Sequence, residues 1–158
     1  MHSRIFQLES SPVTKEHRIS SDDIPEWFCV EIADYVDDLP ESARRENIDW
    51  LVGSFHGICE NRGGRLAFHG DAVAYFSDEY RYKKFVENVN RLRNVSLRSF
   101  VDPHSDLSYL LYALQNSYDN KYGFYIWSGG IIETMDHWVR RADLTKTYYV
   151  GGIVDYHV

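Results

Sequence analysis

Three pairs of Asp and His separated by a single residue are the first candidates for chemistry in this sequence. The pairs are His69/Asp71, Asp102/His104 and Asp155/His157. On a β-strand this spacing places both side chains on one face, where they can share a metal ion or the carboxylate can orient a His general base. If the first and third pairs met in space, a bound metal would activate water, and the protein would be a metal-assisted small hydrolase. The alternative, which we favour, is that turn and strand-end residues form such pairs by chance.

The clearest departure from an ordinary sequence is a run of acidic residues. From Asp22 to Glu41 there are eight acids and no Lys or Arg, whereas the whole chain has a net charge of −7. Apolar residues three and four positions apart between Ser21 and Leu39 predict a helix, whose exposed face would then attract a basic protein partner. The residues expected on that face are Asp22, Glu26, Asp34, Asp37 and Asp38. The competing interpretation is a solvated face that keeps the protein soluble.

Two further groups of residues suggest binding rather than catalysis. The aromatic residues near the C-terminus would suit a small ligand or a carbohydrate, although core packing is the favoured interpretation because no basic residues are interleaved among them. They are Tyr122, Tyr125, Trp127, Tyr148 and Tyr149. The segment from Asn61 to Arg65 contains two glycines and two arginines that could hold an anion, but a solvated loop entering a strand is the expected structure.

Hydrophobic periodicity predicts the elements that would position these residues. Helices are expected at 21–39, from about Glu41 to near Gly57, after Ser77 with Asp78 and Glu79 in the first turn, at 107–118, and at about 134–142. Strands are expected at 3–9, in a hairpin within 65–76 that turns at Gly70–Asp71, at 122–127, and at 146–158. Gly151–Gly152 in the last strand predict a bulge or the close approach of another backbone.

These elements predict an α+β fold. We expect a single domain over residues 1–158, with a mixed or mostly antiparallel sheet of about five strands and about five helices packed against it. A chain of 158 residues, 44% of them apolar, can bury a core of that size without disulfides. The last strand, if it lay at a sheet edge, would allow a homodimer.

Composition also narrows the functional class. The two cysteines, Cys29 and Cys59, fit neither a disulfide framework nor a zinc-ligand set. We therefore expect both to be packing residues. We also expect the protein to lie in a reducing, cytoplasmic compartment. No segment approaches the roughly 20 apolar residues of a membrane span, and residues 1–20 lack the apolar segment of a signal peptide. The acidic charge balance argues against direct binding of nucleic acid.

The leading hypothesis is therefore a small cytosolic accessory or regulatory protein that binds a basic partner through the acidic helix. In this interpretation the protein is not an enzyme and needs no cofactor. The metal-assisted hydrolase and the small-ligand or carbohydrate binder remain as alternatives.

Overall fold

The structure is a computed structural model that describes residues 1–77 and 79–158, so the predicted place of Asp78 in a helix lies outside the described residues. Seven strands form one sheet. In chain order they are β1 (His2–Glu9), β2 (Tyr35–Asp38), β3 (Cys59–Asn61), β4 (Arg65–Phe68), β5 (Tyr125–Ser128), β6 (Ile131–Thr134) and β7 (Tyr148–His157). The α-helices are α1 (Glu26–Glu31), α2 (Arg44–Ser54), α3 (Ala72–Phe76), α4 (Glu79–Arg93), α5 (Leu97–Val101), α6 (Leu107–Tyr118) and α7 (Met135–Arg141). Short 3-10 turns lie at Lys15–His17, Ser21–Asp23 and Glu41–Ala43.

The sheet is mixed, with strand order β3-β4-β7-β1-β5-β6 and with β2 paired to β7. The β1–β5 pair is parallel, and the other pairs are antiparallel. The predicted α+β class is confirmed, but the described residues form seven strands and seven α-helices rather than about five of each. None of the described helices is long and apolar enough to cross a membrane.

The last strand lies in the interior of the sheet, so the edge position on which a homodimer through this strand would depend is not found. One side of β7 pairs with β1 along most of its length, and the other side pairs with β4 and then with β2. Its side chains are apolar on both faces, as burial on two faces requires. An edge-to-edge homodimer through β7 therefore loses its structural basis.

The predicted irregularity at Gly151–Gly152 is confirmed. The β1–β7 register passes from Phe6 opposite Ile153 to Leu8 opposite Val150, which leaves one extra residue on β7. A Cβ atom on Gly152 would lie 2.2 Å from the carbonyl oxygen of Ile19. The bulge and the close approach of another backbone thus occur together at one place.

The predicted helix over 21–39 was wrong in its second half. Pro25 stands at the N-cap of α1, and Ile24 before it is extended, as a residue before proline tends to be, so the helix starts only at Glu26. After Glu31 the chain leaves the helix and forms β2, which pairs with the end of β7. The structure therefore divides the predicted acidic helix between a 3-10 turn, a short helix and a strand.

The predicted hairpin within 65–76 was also wrong. Strand β4 pairs with the preceding β3, and the turn between them contains Gly63 and Gly64, both at positive φ. Asp71 does not form a hairpin turn, because its Oδ1 accepts a hydrogen bond from the N–H of Ala74 and caps α3. The segment from Asn61 to Arg65 is the hairpin loop, in agreement with the favoured interpretation of a loop entering a strand.

Two apolar clusters lie on opposite faces of the sheet. Phe6 and Ile153 belong to the larger cluster, which α2, α3 and α7 cover, while their neighbours Ile5 and Val154 belong to the smaller cluster beside α1. Helices α4 and α6 pack mainly against each other. Their pairing forms one wall of a cleft of about 770 Å³.

Candidate ligand-binding cleft

Asp155 and His157 lie together at the C-terminal end of β7, and each is paired with other side chains. Asp155 accepts a hydrogen bond from Arg4 and lies 2.8 Å from Nδ1 of His2. His157 Nδ1 lies 2.9 Å from Oδ1 of Asp34. The Arg4–Asp155 contact is a strand-to-strand ion pair, since the two residues stand opposite each other in the β1–β7 register.

His69 and Asp71 lie near the other end of β7. Strand β4, which leads to His69, pairs with β7 at Tyr148, whereas His157 pairs with His2 nine residues further along β7. His69 Nε2 is 3.3 Å from Glu60 Oε2, and Asp71 is occupied as the cap of α3. Among the described residues no group of three or more His, Cys, Asp or Glu could hold a metal ion. The geometry gives the metal-assisted hydrolase hypothesis no support.

The predicted partner-binding acids are exposed, although they do not share a helix. We call the five, Asp22, Glu26, Asp34, Asp37 and Asp38, the acidic surface. Asp38 Oδ1 accepts a hydrogen bond from the N–H of Ser21 at 2.6 Å, so it fixes the 3-10 turn onto β2. The Tyr35 hydroxyl donates to Asp37 Oδ2 at 2.7 Å and lowers the pKa of Asp37.

The C-terminal aromatic residues are mostly core residues, as the favoured interpretation of the sequence held. Tyr125 and Tyr148 are buried, and Trp127 packs against the smaller apolar cluster. Tyr122 is half-buried and lines a cleft. The predicted ring surface for a ligand therefore does not exist on β5 and β7, but one of its residues belongs to a different ring cluster.

That cluster lines a cleft whose volume is about 770 Å³. It lies between α6, α4, the end of α2 and the start of β1, and five tyrosines contribute to its walls. They are Tyr75, Tyr80, Tyr109, Tyr112 and Tyr122, joined by Trp50 and Phe124. We call this site the tyrosine cleft. Trp50, Tyr80, Tyr109 and Tyr112 keep much of their ring surface exposed to solvent.

Helical periodicity positions the cleft residues of α4 and α6. On α4 the polar residues Arg81, Lys84, Asn88 and Arg91 follow the spacing i, i+3, i+7, i+10, so one helical face points them toward the cleft. On α6 the corresponding stripe is Tyr109, Tyr112, Ala113, Asn116 and Ser117. The Asn88 side-chain N–H donates to the Ala113 carbonyl at 3.1 Å and ties the two helices together.

A buried carboxylate anchors α4 to the body of the protein. Asp136, at the start of α7, is 3% exposed. Its two oxygens accept hydrogen bonds from both terminal nitrogens of Arg81, each at 2.7 Å, and from the Tyr75 hydroxyl at 2.7 Å. The N–H of Asn120 adds a fourth hydrogen bond at 3.0 Å. The network therefore joins α3, α4, α7 and the segment after α6 at the base of the tyrosine cleft.

The electrostatics of this network explain its protonation states. Burial opposes ionisation of Asp136, but the hydrogen bonds and charge of Arg81 outweigh it, so the pKa of Asp136 is lower than usual. Burial and the neighbouring Asp136 charge raise the pKa of Tyr75. The carboxylate thus stays ionised with its lone pairs occupied, which suits an anchor rather than a general base.

Basic side chains line the cleft although the protein is acidic. Within the part of the chain that the structure describes, its walls contain Arg81, Lys84 and Arg91 and one acid, Asp136. Lys84 Nζ lies 3.2 Å from Glu87, and Arg91 Nη2 lies 3.2 Å from Asp106, but neither of these acids lines the cleft. Both pairs are solvent-exposed, and such pairs contribute little stability. Lys84 and Arg91 can therefore turn toward a ligand at small cost.

Sequence reasoning missed this cleft because it followed the apolar stripe of each helix. On α4 the apolar Tyr82 and Val86 are exposed, whereas the polar Asn88 is buried. The available signal was the Arg81, Lys84, Asn88, Arg91 spacing.

A scan against protein-family models, a search of curated proteins and a search of solved structures found no match to this chain.

Proposed function

We propose that this protein binds a small organic ligand in the tyrosine cleft. The observation that carries the proposal is the convergence of four exposed rings from three elements on one concave site: Trp50 from α2, Tyr80 from α4, and Tyr109 and Tyr112 from α6. Single exposed apolar side chains are ordinary, but rings clustered around a cleft are typical of ligand sites. A volume of about 770 Å³ is in the range that encloses a small molecule.

The polar groups of the cleft favour binding over catalysis. The groups whose pKa values are shifted, Asp136, Arg81 and Tyr75, bind one another and hold the walls in place. Asn88 is likewise engaged with the α6 backbone. A rigid polar base beneath exposed rings supports recognition of a ligand by ring contact and shape.

The test uses N-phenylnaphthylamine, an uncharged aromatic probe whose fluorescence rises on binding. Tyr109→Ala should weaken its affinity at least about fivefold, because loss of a stacking ring costs on the order of 1 kcal/mol. Tyr82→Ala is the matched control, since Tyr82 and Tyr109 are both 64% exposed but Tyr82 does not line the cleft. A wild-type protein that does not bind the probe, or an equal loss in both variants, would contradict the proposal.

A second candidate function is binding of a basic protein partner through the acidic surface. The supporting observation is that three large apolar side chains, Trp27, Val30 and Tyr35, are exposed on the same segment of chain as these acids. Apolar side chains within a charged rim are typical of protein interfaces. This candidate no longer depends on a continuous helix.

A decalysine peptide tests this second candidate by titration calorimetry at low salt. Asp22→Asn combined with Glu26→Gln should reduce the affinity several-fold, because two exposed charges at the site are removed. Glu46→Gln combined with Asp49→Asn is the control, since these exposed residues of α2 change the net charge equally. Equal losses in both double variants would show that only net charge matters and would reject the acidic surface as a specific site.

A further inference from the structure

We infer that the ligand of the tyrosine cleft is an anion carrying a planar ring, such as an aromatic carboxylate, sulfonate or phosphate. This inference rests on the proposed function and names its ligand class. Lys84 and Arg91 would hold the anionic group, and the neighbouring tyrosine rings would contact the planar group.

The described lining of the cleft is richer in basic side chains than the protein as a whole. The chain carries a net charge of −7, but among the described residues that line the cleft there are three cationic side chains, Arg81, Lys84 and Arg91, and one acid, Asp136. Because charges more than about 10 Å apart are largely screened at ordinary ionic strength, a ligand in the cleft responds mainly to these local groups. Glu87 and Asp106 lie 3.2 Å from Lys84 and Arg91 and belong to this local set, so an anion binds by replacing these two exposed acids as the partner of each cation.

The three cations have different roles. Arg81 is committed to Asp136 through two hydrogen bonds of 2.7 Å, and its side chain is only 18% exposed. The side chains of Lys84 and Arg91 are each 50% exposed and form only exposed ion pairs with acids outside the cleft. An anion in the cleft can therefore compete for Lys84 and Arg91 while Arg81 keeps α4 in position.

A basic side chain lies beside a tyrosine ring in the cleft, so one ligand can contact the cation with its anionic group and the ring with its planar group. Lys84 Nζ lies 5.8 Å from the centre of the Tyr80 ring. Tyr112 and Tyr122 form a second ring pair in the lining of the cleft, with centres 6.5 Å apart. An anionic group bound at Lys84 thus leaves its attached ring next to tyrosine faces. Lys84 and Arg91 are two helical turns apart, about 10 Å along α4, so both can contact one extended ligand.

The experiment compares two probes that differ by a single anionic group. Anilinonaphthalene sulfonate carries the sulfonate, and N-phenylnaphthylamine has the same ring system without it. We expect the wild-type protein to bind the sulfonate with the lower Kd. Lys84→Gln and Arg91→Gln should each weaken sulfonate binding by up to about fivefold, the upper range for an exposed ion pair. Neither substitution should change the Kd of the neutral probe.

Lys83→Gln and Arg93→Gln are the matched controls, because they lie on the same helix, change the charge equally and do not line the cleft. They should leave both Kd values unchanged. If all four variants weaken sulfonate binding equally, or if the sulfonate binds no tighter than the neutral probe, the anionic ligand class is wrong while binding in the cleft stands. If neither probe binds the wild-type protein, both this inference and the proposed function are wrong.

Discussion

At the scale of single residues, Asp136 determines how the tyrosine cleft is built. One buried carboxylate accepts hydrogen bonds from α3, α4 and the segment after α6. The Arg81 guanidinium also lies 5.6 Å from the ring centres of Tyr75 and Phe76, so the charge is shielded by aromatic faces. The position of α4, and with it Lys84 and Arg91, depends on this contact.

Replacement of this carboxylate should be costly at neutral pH. Asp136→Asn leaves Arg81 buried without its counter-ion, and we expect a loss of about 3–5 kcal/mol in the free energy of unfolding. Urea denaturation at about pH 7 measures this loss. Asp49→Asn, at an exposed position on α2, is the control and should change stability by less than about 0.5 kcal/mol.

The same variant should show a defined pH dependence. The pKa of Asp136 is lower in the folded protein than in the unfolded chain, so the unfolded state takes up the proton first as the pH falls. The stabilisation from ionised Asp136 is complete above about pH 4, the pKa of this carboxyl in the unfolded chain. It is lost as the pH falls through the lower pKa of Asp136 in the folded protein. The difference between wild type and Asp136→Asn should therefore shrink toward about pH 3. A difference that is constant over this range would contradict the assignment.

At the scale of elements, the bulge in β7 connects three parts of the chain. The Gln7 side chain accepts hydrogen bonds from the N–H groups of Ile19 and Gly152, and its own N–H donates to the His17 carbonyl. The extra residue of the bulge moves Ile153 onto the face that holds Val150, and Val154 onto the opposite face. The bulge thus allows β7 to supply apolar residues to both clusters.

Gly152→Ala should disrupt this arrangement. Its Cβ would lie 2.2 Å from the backbone oxygen of Ile19, a contact that no side-chain rotation relieves. We expect a loss of about 2 kcal/mol or more in the free energy of unfolding. Gly53→Ala in α2 is the control, because its Cβ would have no neighbour within 4 Å and alanine favours a helix by about 0.5–1 kcal/mol. A neutral Gly152→Ala would show that the Ile19 segment is free to move away.

At the scale of the whole molecule, strands from the two ends of the sequence form the centre of the sheet. Residues of β1 and β7 contribute to the apolar clusters on both faces, with Phe6 and Ile5 on β1 as one example. If β1 and β7 separated, the apolar residues of both clusters would be exposed to water together. We therefore propose that residues 1–158 form one domain.

A single domain should unfold in one cooperative transition. Far-ultraviolet circular dichroism, which reports secondary structure, should give the same urea midpoint and slope as tryptophan fluorescence, to which the buried Trp138 contributes. Two separate transitions, or different midpoints for the two signals, would indicate that the chain is divided into independent units.

Much of the local structure could be predicted from the sequence. The strands at β1, β5 and β7 and the helices α2, α4, α6 and α7 follow from hydrophobic period and from the residues that flank them. Strands β2, β3 and β6 were not predicted, because each has four residues or fewer and, unlike the equally short β5, is not part of a longer apolar run. The candidate site was predictable only in part, since the stripe on α4 is readable but the rings that face it come from distant parts of the chain.

The sequence by itself determined the α+β class, the acidic charge and the segments with a strong period, because these depend on residues close together in the chain. The tertiary structure decided the conformation of residues 21–38. Their apolar spacing fits a helix, but pairing with β7 makes the second half a strand. It also decided which helical faces meet at the tyrosine cleft. Such outcomes depend on contacts between residues far apart in sequence, whose free energy no local pattern contains.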